Sequence, residues 1–278
     1  MFRLIKLELL KMFSKWRTYI AFIAVGVITG LIQVAMASSG EELIMSITRV
    51  LRSTLDFNGD LVNGYMINRI VMQSLFVEIP LLITLVGGDL LSGEATSGTY
   101  RLLLIRPASR LKIVAAKYLS GLIYVGLLMF WLMIISLGVG VLFFGVGDMM
   151  VVRFNITVIP QDDVLWRHLI TYAYGFLGMW VVYSLAFLFS VFVENSIGPI
   201  FSTMAVLIIF NIVGLINVGF FADLQPFLFT NHINTWRGFF EIPIEMSQVY
   251  TSISVLVLHI IVFTGITFVY FNKRDINS

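Results

Sequence analysis

Residues 93–117 read GEATSGTYRLLLIRPASRLKIVAAK, and this stretch decides how the rest of the chain is arranged. It is rich in Gly and Thr, carries five cations, and lies between two long apolar runs. Crossing about 30 Å of hydrocarbon takes roughly 20 apolar residues in a helix, a length that both runs approach or exceed. Two apolar runs of this length, separated by a short basic segment, are not expected in a water-soluble protein. The segment is therefore predicted to be a loop between two membrane helices.

The composition of the whole chain indicates a membrane protein with several spans. Of its 278 residues, 59% are hydrophobic and only 12% are charged, and the mean hydropathy is +0.95. Backbone groups inside a bilayer must find their hydrogen bonds within the protein, and long uninterrupted runs achieve this as helices. The fold class is predicted to be all-α and polytopic, with a single permease-like membrane domain over residues 1–278. The six predicted spans are 18–36, 70–88, 118–144, 169–193, 197–222 and 252–271.

The distribution of charge predicts the orientation. Loops rich in Lys and Arg stay in the cytoplasm. With the N-terminus inside, twelve of the 18 Lys and Arg residues are cytoplasmic, so both termini are predicted to be inside, in the cell's inner (plasma) membrane. The net charge is only +2, and the cations form short patches beside membrane helices, which does not favour a nucleic-acid partner. The absence of cysteine excludes disulfides, thiolate catalysis and Cys-based metal sites.

Two segments are predicted to lie at the membrane surfaces. Residues 1–17 form an amphipathic interfacial helix along the inner leaflet. It acts either as a topogenic anchor or as a lever beneath the bundle. Residues 223–251 are aromatic and contain Pro226, Gly238 and Pro243, which predicts short helices in or dipping into the outer interface. The apolar stripe of the N-terminal helix consists of Phe2, Ile5, Leu9, Met12, Phe13 and Trp16.

The 93–117 segment itself predicts a stiff elbow. Residues 100–105 favour a short helix, Pro107 would end it, and Ser109 is suited to cap the next helix. Such an elbow offers apolar and basic side chains to a soluble partner, or its cations hold anionic head groups. The exposed candidates are Leu102, Leu103, Leu104, Arg101, Arg106 and Arg110.

These residues resemble a known family signature. The pattern consists of Gly93-Glu94, Gly98-Thr99, Leu103-Leu104, Pro107, Ser109-Arg110 and Lys117. It resembles the cytoplasmic signature of the type-2 ABC permease family, the membrane subunits of ATP-driven exporters. The resemblance implies a coupling helix between spans 2 and 3, within residues 93–110, that docks on a cytoplasmic ABC ATPase subunit. It also implies a second permease, either another copy or a homologue. The implied docking residues are Glu94, Gly98, Thr99, Leu102, Leu103, Leu104, Arg106, Pro107 and Arg110.

ATP hydrolysis is expected on that other subunit. Residues 93–99 have the glycine spacing of a P-loop, but Thr99 stands where the phosphate-binding lysine is required, and the segment follows a membrane helix. No cofactor or metal is therefore expected on this chain, and ATP and Mg are expected on the partner subunit. The sequence contains no catalytic motif that would indicate an enzyme. The expected function is solute export by alternating access. The alternative is a mechanotransmitter or membrane scaffold that acts on an external partner without moving a solute.

Three polar residues inside the spans are candidates for a transport path. Glu78 lies near the middle of the second run, where an ionised carboxylate is costly unless it faces water or a partner. Asn211 and His259 lie within the fifth and sixth runs and are possible polar neighbours. A hydrogen-bonded structural role remains the alternative for all three.

Overall fold

The computed structural model describes residues 1–52, 62–96, 109–152 and 156–273. Its first helices are α1 (Phe2–Phe13), α2 (Trp16–Arg52), α3 (Gly64–Gly87), α4 (Asp89–Thr96), α5 (Arg110–Met133) and α6 (Val139–Phe144). The later helices are α7 (Gln161–Phe192), α8 (Gly198–Leu215), α9 (Phe220–Leu224), α10 (Phe229–Ile233) and α11 (Met246–Lys273). A hairpin of strands β1 (Met149–Val152) and β2 (Ile156–Ile159) joins α6 to α7.

Six helical segments are long and apolar enough to cross a membrane, and each contains or overlaps one predicted span. They are α2, α3 with α4, α5 with α6, α7, α8 and α11. Several boundaries differ from the prediction, among them the starts of α5, α7 and α11, each of which lies at least six residues earlier than predicted. The helix of the first span, α2, continues to Arg52, and that of the fifth span, α8, ends at Leu215 because Ile216 adopts an extended conformation with a ψ of 100°.

Helix α7 forms the centre of the bundle. It contacts α3, α5, α8 and α11, and 72% of its most apolar window is buried. The corresponding share is 17% in α8 and 22% in both α2 and α11, so these three helices are peripheral. The buried hydrophobic side chains form one cluster that runs through the bundle.

Several polar groups inside the bundle are paired across helices. Asn68 on α3 accepts hydrogen bonds from Tyr172 (2.6 Å) and Ser136 (2.7 Å) and donates one to Nδ1 of His168 (2.8 Å). These four residues, here called the polar hub, join α3 and α7 to a π-helical turn at Ile134–Gly138 between α5 and α6. A second cross-helix bond secures that turn, since Gln33 on α2 donates to the carbonyl oxygen of Ile135 at 2.9 Å.

The segment before the last span consists of short helices, as predicted. These are α9, a 3₁₀ turn at Gln225–Phe227, α10 and a 3₁₀ helix at Asn234–Phe240. Its aromatic side chains enter the bundle, because Phe229, Trp236, Phe239 and Phe240 are all buried. Arg167 on α7 holds the segment by donating to the carbonyl oxygens of Phe239 (2.6 Å) and Glu241 (3.1 Å).

The hairpin is a feature that the all-α prediction lacks. Its strands have four residues each and pair antiparallel, with Met149 opposite Ile159. Asn63 ties the hairpin end to α3, because its Oδ1 accepts from the backbone N–H of Tyr65 and Met66 while its Nδ2 donates to the carbonyl oxygen of Asp148 at 2.8 Å.

The N-terminal helix is shorter than predicted and rests on the protein itself. Helix α1 ends at Phe13, two residues separate it from α2, and it contacts α5. Met12 is buried, and Leu9 and Phe13 pack against the core. The middle of the predicted stripe is therefore covered by this chain's own bundle, whereas Phe2 and Trp16 at its two ends are 90% and 71% exposed.

We predict that Gly64→Ala destabilises the bundle. A Cβ at this position would lie 2.6 Å from backbone atoms of Gly140 and Val141, which cannot move without shifting α6. The expected loss is about 1–3 kcal/mol in the free energy of unfolding, measured by reversible denaturation in mixed micelles. Gly265→Ala is the control, since nothing lies within 4 Å of that position, and it should leave stability unchanged or slightly raised. Equal effects of the two substitutions would contradict the close approach of α3 and α6.

Candidate functional site

Most of the predicted docking segment lies outside the described residues. This applies to Gly98, Thr99, Leu102, Leu103, Leu104, Arg106 and Pro107. The structure describes the two flanks, with Glu94 in α4 on one side and Ser109 and Arg110 at the start of α5 on the other. Ser109 occupies the N-cap position, as predicted, although its side chain makes no capping hydrogen bond. Helices α4 and α5 thus form a stem on either side of residues 97–108.

A buried lysine joins the two sides of the stem. Lys117 on α5 donates to Glu94 Oε1 on α4 at 2.6 Å. The side chains are only 2% and 5% exposed, respectively. The same ammonium donates to Glu8 Oε2 on α1 at 2.8 Å, and the Glu8 side chain is 12% exposed. One cation therefore ties three helices together.

Helix α1 makes a further contact with the same carboxylate. Lys11, one turn after Glu8, forms an ion pair with Glu94 Oε1. The two residues are three positions apart and so project from the same face of the helix. That face is turned towards α4 and α5.

A second ion-paired group lies where α4 begins. Asp89 is the first residue of α4, where a carboxylate is favoured by the helix dipole. It accepts from Lys15 at 2.6 Å and from Arg17 at 3.1 Å. These two cations flank the start of α2, so the turn between α1 and α2 is also fixed to the stem.

Together these side chains form one group, here called the basal cluster. They line a small polar cavity of about 30 Å³, which has room for one or two water molecules. The cations outnumber the carboxylates, and the most exposed of them, Arg17, is 57% exposed. The cluster consists of Glu8, Lys11, Lys15, Arg17, Asp89, Glu94 and Lys117.

The basal cluster changes the interpretation of Glu94. The resemblance places this residue on the surface that docks a partner, whereas the structure turns its carboxylate into the bundle. Burying an ion pair costs several kcal/mol per ion, roughly, and this is offset only by close geometry and further hydrogen bonds. The short contacts of Lys117 meet that condition. In this chain Glu94 secures the stem from within.

The predicted path residue Glu78 lies on an exposed face of α3. It is near the middle of the Gly64–Glu94 span and forms no hydrogen bond or ion pair with any part of the chain that the structure describes. The neighbouring positions on this face are also exposed. Helices α2, α7 and α8 contact α3. The exposed positions on this face are Gln73, Ser74, Val77, Glu78 and Leu81. Because three of the five are polar, this face is here called the polar stripe.

Asn211 and His259 do not join Glu78. The Asn211 side chain donates to the carbonyl oxygen of Leu207 on its own helix at 2.8 Å. His259 Nδ1 lies 2.8 Å from the carbonyl oxygen of Val255, also one turn back, and its ring contacts Phe229. Each is satisfied locally, which favours the structural reading for these two residues.

Sequence reasoning missed several members of the basal cluster. Neither Glu8 nor Asp89 is among the residues that the sequence singles out, and Lys11 and Lys15 are predicted only as cations of the amphipathic N-terminal helix. One signal was available: Asp89 and Lys117 stand at the ends of apolar runs, where a charge needs a nearby partner. Which partner it finds depends on the packing of α1, and the sequence does not specify that.

Comparison with known proteins places the chain in a family. A family model described as "Protein of unknown function (DUF2705)" matches residues 26–277. The chain belongs to this family. A relative, "Uncharacterized protein YhcI" of Bacillus subtilis (strain 168), is 26% identical over 201 residues. The alignment covers 69% of this chain and 63% of the relative, which is less than two thirds of the relative's length. Neither description states an activity.

We predict that Lys117→Met strongly destabilises the protein. The substitution leaves the carboxylates of Glu8 and Glu94 without their buried counter-charge, although Lys11 still reaches Glu94. Removing one partner of a buried ion pair costs about 3–5 kcal/mol in the free energy of unfolding, measurable by reversible denaturation in mixed micelles.

The matched control is Lys15→Met. Lys15 is 43% exposed, and its partner Asp89 keeps the ion pair with Arg17, so the expected loss is at most about 1 kcal/mol. Similar losses in the two variants would show that the burial of Lys117 does not set its contribution.

Proposed function

We propose that this chain is the membrane subunit of an ATP-driven ABC exporter. It works with a separate cytoplasmic ATPase subunit and with a second permease, either another copy or a homologue. One observation carries the proposal. In the sequence, the segment that resembles the permease signature is flanked by two helices, and the buried Lys117–Glu94 pair joins these helices. A stem secured in this way transmits a force instead of yielding to it.

The proposed mechanism is alternating access. Closure of the ATPase around ATP and Mg pushes on residues 93–110, which act as the coupling helix. The motion enters the bundle through α4, which follows α3 after a single residue, and through α5. The two permeases then rock against each other and open a central path outward. In this arrangement both termini are cytoplasmic, and α1 lies along the inner leaflet, with Phe2 on α1 and Trp16 at the start of α2 exposed to lipid.

The polar stripe on α3 supports a path beside a second permease. A carboxylate at mid-membrane depth is tolerated where water or a partner meets it, and lipid supplies neither. The exposed position of Glu78 therefore indicates a face that another subunit or a wet channel covers. Gly30 on the neighbouring α2 also has nothing within 4 Å, so its small surface remains open to a second subunit.

One observation favours mechanotransmission as the second candidate. Helix α2 has 37 residues and is therefore about 55 Å long at 1.5 Å per residue. The hydrocarbon layer takes about 30 Å of that length. The remainder extends beyond the bilayer, where it offers a rigid arm to an external partner.

We predict that Leu103→Asp/Leu104→Asp releases the ATPase subunit. Both positions lie outside the described residues, so the choice rests on the sequence. Two carboxylates would enter an apolar contact that cannot solvate them, and binding should weaken by about 100-fold or more. Co-purification with the ATPase and partner-stimulated ATP hydrolysis measure the effect.

The control for the docking variant is Leu43→Asp/Met45→Asp. Both residues are 46% exposed on the distal part of α2, far along the chain from the stem. This variant should bind the ATPase normally. Full co-purification of the Leu103/Leu104 variant would remove the docking role, and the proposed function with it.

We predict that Val77→Cys reacts with a membrane-impermeant cationic thiol reagent in the assembled complex. This chain has no cysteine, so the introduced thiol is its only target and the label is read on this chain after its separation from the ATPase subunit. Val77 is 67% exposed beside Glu78, whereas Leu258 is 58% exposed on α11 at a similar depth. Thiolates form in water and not in lipid, so Val77→Cys should react about tenfold faster or more than Leu258→Cys.

The outcomes of this labelling separate the two candidate functions. Fast labelling that changes with ATP indicates a wet transport path. Absence of labelling with cross-linking between two copies indicates a sealed interface and favours mechanotransmission. If Val77→Cys is neither labelled nor cross-linked, and so behaves like Leu258→Cys, the polar stripe faces lipid and takes part in neither mechanism.

A further inference from the structure

The N-terminal helix is attached to the stem in a way that membrane anchoring does not require. A surface anchor needs an apolar stripe and cations facing the head groups. Helix α1 instead directs Glu8 inward, where its side chain is 12% exposed and lies 2.8 Å from the buried ammonium of Lys117. Lys11 adds an ion pair with Glu94 on α4.

These contacts make α1 the third member of the stem. Lys117 cannot release Glu8 without losing a short charged contact inside a nearly dry site. Asp89 holds the turn that follows α1 through Lys15 and Arg17, so the helix is fixed at its middle and at its end. Apolar contacts of α1 with α5 add to this attachment.

We infer that α1 is a working part of the coupling apparatus and that Lys117 is the positioning residue that makes α1, α4 and the first turns of α5 move as one body. The role in coupling rests on the proposed function, whereas the attachment rests on the contacts alone. A push on residues 97–108 then moves α1, and α1 passes the motion directly to α2, which begins three residues after α1 ends.

The test variant is Glu8→Gln/Lys11→Gln. It removes both ion pairs from α1 to the Lys117–Glu94 pair, leaves at most neutral hydrogen bonds in their place, and leaves that pair itself intact. It also leaves the net charge unchanged. The control is Lys6→Gln/Glu42→Gln, which removes the same two residue types at exposed positions. Glu8→Gln alone is the milder variant if the double substitution lowers the yield of folded protein.

The first measurement is hydrogen exchange of the α1 amides in the full-length protein. Losing contacts to charged groups should raise local opening and accelerate exchange by about tenfold or more, while α7 stays protected. Spin labels at Leu10→Cys and Leu111→Cys, both on exposed positions, should give one narrow distance in the parent and a broad distribution in the test variant. Exchange equal to that of the control would overturn the attachment.

The second measurement uses the complex with the ATPase and the Val77→Cys labelling rate. In the parent complex ATP changes this rate; in the test variant ATP should still be hydrolysed while the labelling rate no longer responds. If the α1 amides exchange faster in the test variant but ATP still changes the Val77→Cys labelling rate, α1 is only an anchor and the inference is overturned. If the parent shows no ATP response or binds no ATPase, the proposed function and the coupling role fall together. The exchange experiment then decides the attachment alone.

Discussion

The cost of burying an ammonium group organises one end of this protein. Lys117 is almost completely removed from water, and the chain offsets that cost with carboxylates from two other helices, Glu8 and Glu94. Hydrophobic packing is not directional and tolerates sliding between helices. A short ion pair fixes a position along the helix axis as well as a distance. The relative placement of α1, α4 and α5 is therefore set by charge, within a bundle that apolar burial holds together.

The same rule explains the polar atoms at the other end of the bundle and makes one residue stand out. The side chain of Asn68 uses its oxygen for two hydroxyl donors and its nitrogen for His168, and Gln33 serves a backbone carbonyl at the π-helical turn. Without water, each such group must find its partner in the protein. Glu78 finds none in the described part of the chain. Glu78 is therefore the membrane-span carboxylate that the proposed second permease or wet path would have to accommodate.

The sequence predicted the elements better than their contacts. Six spans follow from length and hydropathy, because bilayer thickness imposes both. Helix ends were less certain. The residues after position 36 are more polar, so hydropathy does not indicate that α2 continues there. The strands of the hairpin have four residues each and are too short to be distinguished from an apolar loop. Lys117 and Glu94 were recognised from the family pattern, but their pairing, and the part of Glu8 in it, depend on how α1 packs. The docking surface at residues 97–108 stays a prediction.

The length of α2 has a mechanical consequence. A straight helix of about 55 Å that pivots at its base converts a tilt of 10° into a displacement of about 10 Å at its tip. This helix begins at the turn whose Lys15 and Arg17 form ion pairs with Asp89. It ends at Arg52, and its length exceeds what is needed to cross the bilayer. If α2 turned as a rigid unit about this end, a small change of tilt at the basal cluster would become a much larger displacement at the far end of the helix.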